Sequence, residues 1–460
     1  MRTGVIALGR PTFDVAAAAP WAESAFAAVA RVADEVAGSA ELAMDVDAVA
    51  AGAEGLGEID VLVVLQATFT DGTLHAAAVH THPDVPVVLW AFPEARTGDR
   101  LRLNSLCGIN LGGFTLADRD LRWLYVSPED ERVDGELRTA LAGPPAPIAA
   151  RALPPPDPAD VARAEGLMSR LGEYRIGTIG DHPDGFGPCG FSDVELAATG
   201  DPVIDRVELA DLFAAAGIPV ESEVAALQRQ VAARLSGLSS LDGGAVEASL
   251  RLHLGLRSLS SDRGWDAVAT RCWPECFTEM GGAACAAQGM LDDSGIPATC
   301  ERDVFGALTA LVLRDAAGSS PFVADLVDLE FADDTAAVWH CGIAPLAIAH
   351  PDDVPAAAVH PNRNLPLLHQ FRLRPGRVTI ARFNRSRNGV RLTVGGGEIL
   401  DRPRPFSGTS AVLRPDCGAR ALFDTLMSER LEHHYGIVHG DVRSVLVALA
   451  DRLGLDVVVL

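Results

Sequence analysis

The strongest constraint on the fold is an alternation of short, β-branched apolar runs with longer stretches of helical periodicity. Residues 3–9 (TGVIALG), 59–67 (IDVLVVLQA) and 86–92 (PVVLWAF) are such runs, and an alanine-rich stretch with helical spacing separates the first two. Strands that alternate with helices form parallel sheets buried on both faces, which explains why these runs are apolar throughout. The chain therefore begins with a predicted Rossmann-like domain, although it lacks a glycine-rich dinucleotide motif.

A proline-dense segment at 143–158 (GPPAPIAARALPPPDP) ends this first pattern, because no helix interior or central strand tolerates so many prolines. After residue 350 the sequence pattern changes again, to short strand-like segments separated by Gly and Asn. We predict an α/β fold, with two Rossmann-like doubly wound parallel-sheet domains followed by a carboxy-terminal β-rich, barrel-like domain. The predicted bounds are 1–145 for the first domain, 146–160 for a proline-rich linker, 161–340 for the central domain and 341–460 for the last.

Two carboxylates and a histidine follow strand-like segments of the predicted central domain. Glu301 follows IPATC, Asp325 ends PFVAD and His340 ends AAVWH. Ligands bind outside the carboxyl ends of parallel strands, where two neighbouring carboxylates repel each other unless a cation or a proton lies between them. Each residue also has an ordinary explanation, as a helix-start acid, a turn residue and a core histidine.

The composition excludes several classes of function. The net charge is −24, from 38 basic and 62 acidic residues without a basic run, which disfavours nucleic-acid and membrane partners. The eight cysteines form no C-x-x-C pair and are predicted to be reduced, mostly buried thiols. No segment approaches the roughly 20 apolar residues of a membrane span. We therefore expect a cytoplasmic protein.

Three segments resemble the L-fucose/L-arabinose isomerase superfamily. The run CERD at 300–303, followed by VFGALTALVL, resembles the segment with the catalytic glutamate. The run FVAD at 322–325 resembles the segment with the aspartate ligand of the fucose enzymes. The run HHYGIVHG at 433–440 resembles the segment that carries the family's histidine ligand.

The resemblance implies a metal-dependent sugar isomerase that interconverts an aldose and its ketose by an ene-diolate mechanism at C1 and C2. Glu301 and Asp325 would be the catalytic residues, and together with His434 they would bind Mn²⁺ or another divalent cation such as Mg²⁺ or Co²⁺. His340 is an additional candidate ligand, because HCG at 340–342 lies where the arabinose enzymes have an extra histidine. Which carboxylate is the base stays open.

The resemblance also suggests substrate contacts at Arg10, Thr68 and His433. Trp273, an aromatic residue at a predicted strand end, is a fourth candidate, whose ring could stack on a sugar or fill the core. Arg10 and Thr68 lie in RPTFD and QATFTD, which resemble loops of the family's amino-terminal domain. In that family this domain caps the active site of a neighbouring subunit. The chain is thus expected to be a homo-oligomer, a trimer or a hexamer, with active sites at subunit interfaces.

Two alternatives remain open from the sequence. One is an isomerase for a modified or anionic hexose, for example a sulfonated one, in which an arginine clamp would hold the anion. Its candidate arginines are Arg10, Arg302, Arg382 and Arg385. The other is a catalytically inactive sugar-binding relative, because a fold does not determine a function.

Overall fold

The structure, a computed structural model, describes residues 1–145 and 151–460. Residues 146–150 of the predicted linker lie outside the described residues, and the predicted domain bounds stay predictions. Within the described ranges, no helix combines the length and the apolar character that a membrane crossing needs.

The first sheet has five parallel strands in the order β2-β1-β3-β4-β5. The three apolar runs predicted as strands correspond to β1, β3 and β4, and both faces of these strands are buried. The strands are β1 (Arg2–Leu8), β2 (Glu35–Ala43), β3 (Val61–Gln66), β4 (Val87–Ala91) and β5 (Leu121–Tyr125). The helices are α1 (Val15–Val32), α2 (Val46–Gly55), α3 (Gly72–Val79), α4 (Ser105–Thr115) and α5 (Val133–Ala142).

The second sheet has four parallel strands in the order β7-β6-β8-β9. Its strands are β6 (Arg175–Ile179), β7 (Val203–Val207), β8 (Ala267–Thr270) and β9 (Ala298–Thr299). The helices of this region are α6 (Pro158–Leu171), α7 (Asp193–Ala197), α8 (Leu209–Gly217), α9 (Glu221–Arg234), α10 (Gly243–Arg263), α11 (Glu275–Thr278), α12 (Ala284–Asp293) and α13 (Val304–Ala317).

The third sheet has nine strands, mostly antiparallel, in the order β12-β13-β16-β11-β10-β17-β14-β15-β18. Because β15 also pairs with β16, six of the strands close into an antiparallel barrel. The elements are β10 (Phe322–Glu330), β11 (Thr335–His340), β12 (Ala356–Val359), β13 (Pro366–Arg372), β14 (Gly376–Ser386), β15 (Gly389–Ile399), β16 (Thr409–Pro415), α14 (Ala419–Ser428), β17 (His434–His439), α15 (Arg443–Leu453) and β18 (Val457–Val459). The predicted fold class is confirmed.

The strand that carries Asp325 belongs to this barrel, so the expectation of a parallel strand there is wrong. In β10, Asp325 pairs across the sheet with His434 of β17 and with Trp339 of β11, both antiparallel. Burial on both faces explains the error, since eight of the nine residues of β10 are buried, as in a parallel strand. His340 likewise ends a barrel strand, whereas Glu301 does follow a parallel strand, β9.

Helix α13 connects the parallel sheet to the barrel at the level of these residues. Asp303 caps its first turn by accepting a hydrogen bond from the backbone N–H of Gly306 at 2.9 Å. The helix crosses β17 at Gly436, where an added Cβ would lie 2.6 Å from a Leu313 methyl carbon. This close approach brings the start of α13 next to His434, two residues before Gly436.

Two buried histidines, His75 and His253, make the stability of the fold sensitive to acid. Burial lowers the pKa of each to about 4, from an ordinary value of 6.5. Below about pH 6.5 each histidine is therefore protonated in the unfolded chain but stays neutral in the folded one. As a result, the free energy of unfolding decreases as the pH is lowered across this range. Between pH 6.5 and pH 5 we expect a loss of about 2 kcal/mol per histidine.

Urea denaturation between pH 5 and pH 7.5 measures this effect. The midpoint should decrease towards pH 5 in the wild-type protein, and less steeply in His253→Gln. Equal slopes in the two proteins would contradict the assignment.

Candidate active site

A cavity lies where the amino-terminal loops, the segment after β9 and the barrel meet. Of the residues predicted to form the site, six line it. They are Arg10, Trp273, Glu301, Asp325, His340 and His433. His434 lies against Glu301 and Asp325, behind the cavity wall. The structure therefore brings together residues that are distant in the sequence and come from different sheets.

Glu301 has a strained backbone conformation directly after β9 of the second sheet. Its φ is 60°, and that of Arg302 is 58°, a left-handed region that side chains other than glycine seldom adopt. The carboxylate is held from two sides, because Trp273 donates from Nε1 to Oε1 at 3.1 Å and His433 contacts Oε2 through Nε2 at 3.1 Å. Strain of this kind persists where surrounding contacts fix the residue for a task.

The surroundings also determine the charge of Glu301. Burial raises the pKa of this carboxyl, but the hydrogen bond with His433 and the nearby imidazoles of His434 and His340 outweigh it and hold the pKa at about 2. Glu301 is therefore an anion at neutral pH, able to bind a cation or to accept a proton.

His434 presents one ring nitrogen to both predicted metal carboxylates. Its Nδ1 donates to Asp303 Oδ2 at 2.8 Å. Its Nε2 lies 3.6 Å from Glu301 Oε2 and 3.5 Å from Asp325 Oδ1. A histidine whose Nδ1–H is bound to a carboxylate and whose Nε2 faces other ligands has the usual arrangement of a metal ligand with its outer partner.

The donor set fits a divalent cation. Within the described part of the chain, the buried Asp325 Oδ1 has no hydrogen-bond partner, and neither has the buried His433 Nδ1. A bound ion or ligand is one explanation for a buried polar atom without a partner. Two carboxylates and an imidazole suit Mn²⁺ and related ions of oxygen and nitrogen sites.

A buried charge network, which the sequence did not reveal, lies next to the predicted metal ligands. Arg382 donates two hydrogen bonds to the carboxylate of Asp303, at 2.6 and 3.0 Å, and its Nε lies 3.8 Å from Glu432. All three side chains are almost fully buried. Burial opposes ionisation of Asp303, but the Arg382 guanidinium and the hydrogen bond from His434 hold its pKa well below the usual range. Arg382 is therefore a structural partner of Asp303, and within the described residues it does not line the cavity.

His340 reaches the same region from the end of β11. Its Nδ1 donates to the backbone carbonyl of Val323 at 2.8 Å, and its ring centroid lies 5.3 Å from that of His434. Burial lowers its pKa, which favours a neutral ring with a free Nε2. Its role as a metal ligand stays a prediction.

The four predicted substrate contacts take different positions. Arg10 and Trp273 face each other in the cavity, with the guanidinium carbon 5.1 Å from the indole ring, and His433 lines the cavity beside them. Thr68 is fully buried and, in the described structure, does not line the cavity. Its Oγ1 accepts a hydrogen bond from the Arg10 backbone N–H at 2.8 Å, so that it positions Arg10 instead.

Two other candidates for the anion clamp point away from the cavity. Arg302 lies 3.4 Å from Asp181, and Arg385 donates to Glu195 at 2.8 Å. Neither lines the cavity in the regions that the structure describes. Of the four arginines considered from the sequence, Arg10 alone reaches it.

Arg363, which the sequence did not single out, lines the cavity beside Trp273. Its guanidinium carbon is 4.8 Å from the Trp273 ring and 5.4 Å from the Phe277 ring. Across the described ranges no carboxylate oxygen lies within 4 Å of it. It sits in the loop HPNRN at 360–364, where nothing but the three-dimensional structure relates it to Arg10.

The amino-terminal wall of the cavity comes from the same chain. Arg10, Phe13 and Phe69, from loops that follow β1 and β3, line it together with Glu301. The predicted loops thus reach a site within their own subunit. The homo-oligomer expected from the resemblance stays a prediction.

The chain is similar to several curated isomerases over most of its length. It is 30% identical over 406 residues to the sulfoquinovose isomerase of Alkalicoccus urumqiensis, covering 87% of this chain and 86% of that protein. It is 30% identical over 401 residues to the sulfoquinovose isomerase of Clostridium sp. (strain MSTE9), covering 86% and 85%. It is 28% identical over 403 residues to the enzyme of the same name from Priestia aryabhattai, covering 87% and 85%. No family profile matches the chain.

Proposed function

The chain belongs to the family of the sulfoquinovose isomerases, and from this premise we propose that it is an aldose–ketose isomerase that acts on a sulfonated hexose. This is the anionic-sugar alternative from the sequence, and it is preferred over a neutral aldose. The observation that carries it is that Glu301 and Asp325, which both lie against His434, line one cavity with two arginines beside Trp273. We also propose a wider relationship to the L-fucose/L-arabinose isomerases, which rests on the three resembling segments.

We propose that Glu301, Asp325 and His434 hold the divalent cation, Mn²⁺ or a related ion such as Mg²⁺ or Co²⁺. The support is the free Oδ1 of Asp325 and the Nε2 of His434, which lie 3.5 Å apart. When bound, such a cation supplies Lewis-acid stabilisation of the negative charge that develops on the sugar oxygens.

The two carboxylates are proposed to carry the proton chemistry. Conversion of an aldose to its ketose moves a proton from C2 to C1, so a base must lie beside both carbons. Glu301 is ionised by its histidine neighbours and fixed in orientation by Trp273 and His433. Asp325 faces it from β10 with a free oxygen, and between them the pair can take up and return the proton.

Arg10 and Arg363 are proposed to bind the sulfonate. They approach the Trp273 ring at 5.1 and 4.8 Å. Burial lowers the pKa of Arg10, and the nearby charge of Arg363 lowers it further. Arg10 has one carboxylate contact, with Asp71 at 3.4 Å. Two arginines in a half-buried cavity with few neighbouring carboxylates to neutralise them form a favourable site for an anion.

Replacement of Arg363 should therefore weaken the preference for a sulfonated sugar more than it slows the isomerisation itself. In Arg363→Met we expect kcat/KM for sulfoquinovose to fall about 10- to 100-fold, because a charge-assisted hydrogen bond is lost. The rate with a neutral aldose should change much less. The matched control is Arg385→Met, which removes an arginine paired with Glu195 outside the cavity. A parallel loss on both sugars would show that Arg363 supports the fold and not the sulfonate.

The proposed activity is tested by incubating the metal-loaded protein with sulfoquinovose in D₂O. Ketose formation together with deuterium incorporation at the carbon that receives the proton is expected, and a chelator should abolish both. Binding of the sugar without either result would favour the catalytically inactive sugar-binding alternative. Turnover of fucose or glucose, but not of sulfoquinovose, would contradict the sulfonated substrate.

A further inference from the structure

Two thiols and a histidine that the proposed reaction does not use converge on the cavity wall. Cys285 Sγ, Cys341 Sγ and a ring nitrogen of His360 all lie within 4.8 Å of one another. All three residues line the cavity; Cys285 and His360 are buried and Cys341 is half-buried.

The three residues reach this point from separate elements. Cys285 lies in the first turn of α12, Cys341 follows β11 and His360 follows β12. Because no local sequence motif joins them, the cluster exists only in the folded chain.

The donor set differs in kind from that of Glu301 and its partners. Thiolates with an imidazole select Zn²⁺ and softer ions, whereas carboxylates suit Mg²⁺ and Mn²⁺. Burial and the charge of Arg363 lower the pKa of His360 to about 3, so its ring is neutral at physiological pH. The Asn362 N–H donates to Nδ1 at 3.2 Å; coordination through Nε2 would move the ring proton to Nδ1 at the expense of that long contact.

We propose that Cys285, Cys341 and His360 form a second metal site, specific for a thiophilic divalent cation such as Zn²⁺ or Cd²⁺. Binding forms two metal–sulfur bonds and one metal–nitrogen bond, releases the two thiol protons and transfers no electrons. Two thiolates neutralise the charge of the ion, so the nearby Arg363 does not oppose it. Because all three residues line the cavity, an ion bound to them would occupy space otherwise open to a sugar.

The experiment is a Cd²⁺ titration of the full-length protein, with excess Mg²⁺ present to occupy the carboxylate site. Cadmium–thiolate bonds absorb in the ultraviolet, and the signal does not depend on turnover. We expect one equivalent of Cd²⁺ to produce this band in the wild-type protein. The band should be lost in Cys285→Ser/Cys341→Ser and reduced in His360→Gln. Cys417→Ser, which removes a half-buried thiol from the loop between β16 and α14, is the matched control and should keep it.

Alkylation mapping tests the same site without any variant. In the wild-type protein, Cd²⁺ should protect Cys285 and Cys341 from iodoacetamide and leave Cys417 unprotected. An unchanged band in the folded double variant, or protection of Cys272 and Cys300 in their place, would overturn the proposal. Because neither readout requires isomerase activity, failure here is distinguishable from failure of the proposed function.

Discussion

Replacement of Glu301 by Gln is expected to lower kcat for ketose formation by about 10²- to 10⁴-fold, the range for loss of a catalytic acid or base. The amide has nearly the same shape but cannot take up a proton. It also removes the negative charge that His433 and His434 face at 3.1 and 3.6 Å. The expected result is therefore a combined loss of turnover and of bound metal, measured by steady-state kinetics and by metal analysis of the purified variant.

Glu275→Gln provides the matched control for this experiment. Glu275 lies in the neighbouring segment but forms an ion pair with Arg271 at 2.7 Å and does not line the cavity in the described structure. Its replacement should leave turnover close to the wild-type rate. If Glu301→Gln retained full activity with metal bound, the assignment of Glu301 would be wrong.

Asp303→Asn is expected to have the largest effect on stability, a loss of about 3 kcal/mol. It leaves the buried charge of Arg382 with Glu432 as its remaining carboxylate neighbour, at 3.8 Å. It also takes from His434 the anion that fixes its ring, which should weaken metal binding about 10- to 100-fold. Chemical denaturation and metal titration measure the two effects separately.

A double variant distinguishes these two roles of Asp303. In Asp303→Asn/Arg382→Met the uncompensated charge is gone, so part of the stability should return, while metal binding stays weak because His434 still lacks its carboxylate. Asp134→Asn is the control, since Asp134 pairs with Arg31 at the surface, where such a pair contributes about 0–1 kcal/mol. Recovery of metal affinity in the double variant would contradict the proposed support of His434 by Asp303.

Hydrophobic periodicity was sufficient to predict the class of the fold but not every strand. Strands β1, β3 and β4 could be predicted because parallel strands are buried on both faces and therefore form continuous apolar runs. Strand β2 was missed, since it is half-exposed at the edge of the sheet and rich in Ala and Gly, with no apolar run to mark it. Strand β10 was recognised but placed in the wrong sheet, because an antiparallel strand covered on both faces carries the same signal as a parallel one.

In the candidate site, too, some residues could be predicted from the sequence and others could not. Glu301, Asp325 and His434 could be named because their segments resemble those of a known superfamily, and the structure brings their side chains within 3.6 Å of a common nitrogen. Arg363 and the outer partner Arg382 could not be identified in this way. One lies in an irregular loop and the other in an ordinary barrel strand, and only the packing of the folded chain relates them to the cavity.

In the proposed function, different parts of the chain carry the recognition of the sugar and its chemistry. Arg10 and Arg363 stand on loops after β1 and β12, whereas the ligand carboxylates and the histidine lie on or beside strands fixed by α13 and the barrel. Loops accept substitutions that a buried charge network does not. Descendants of such an enzyme could therefore change the substituent that they accept on the sugar through substitutions in these two loops, while the reacting centre is inherited intact.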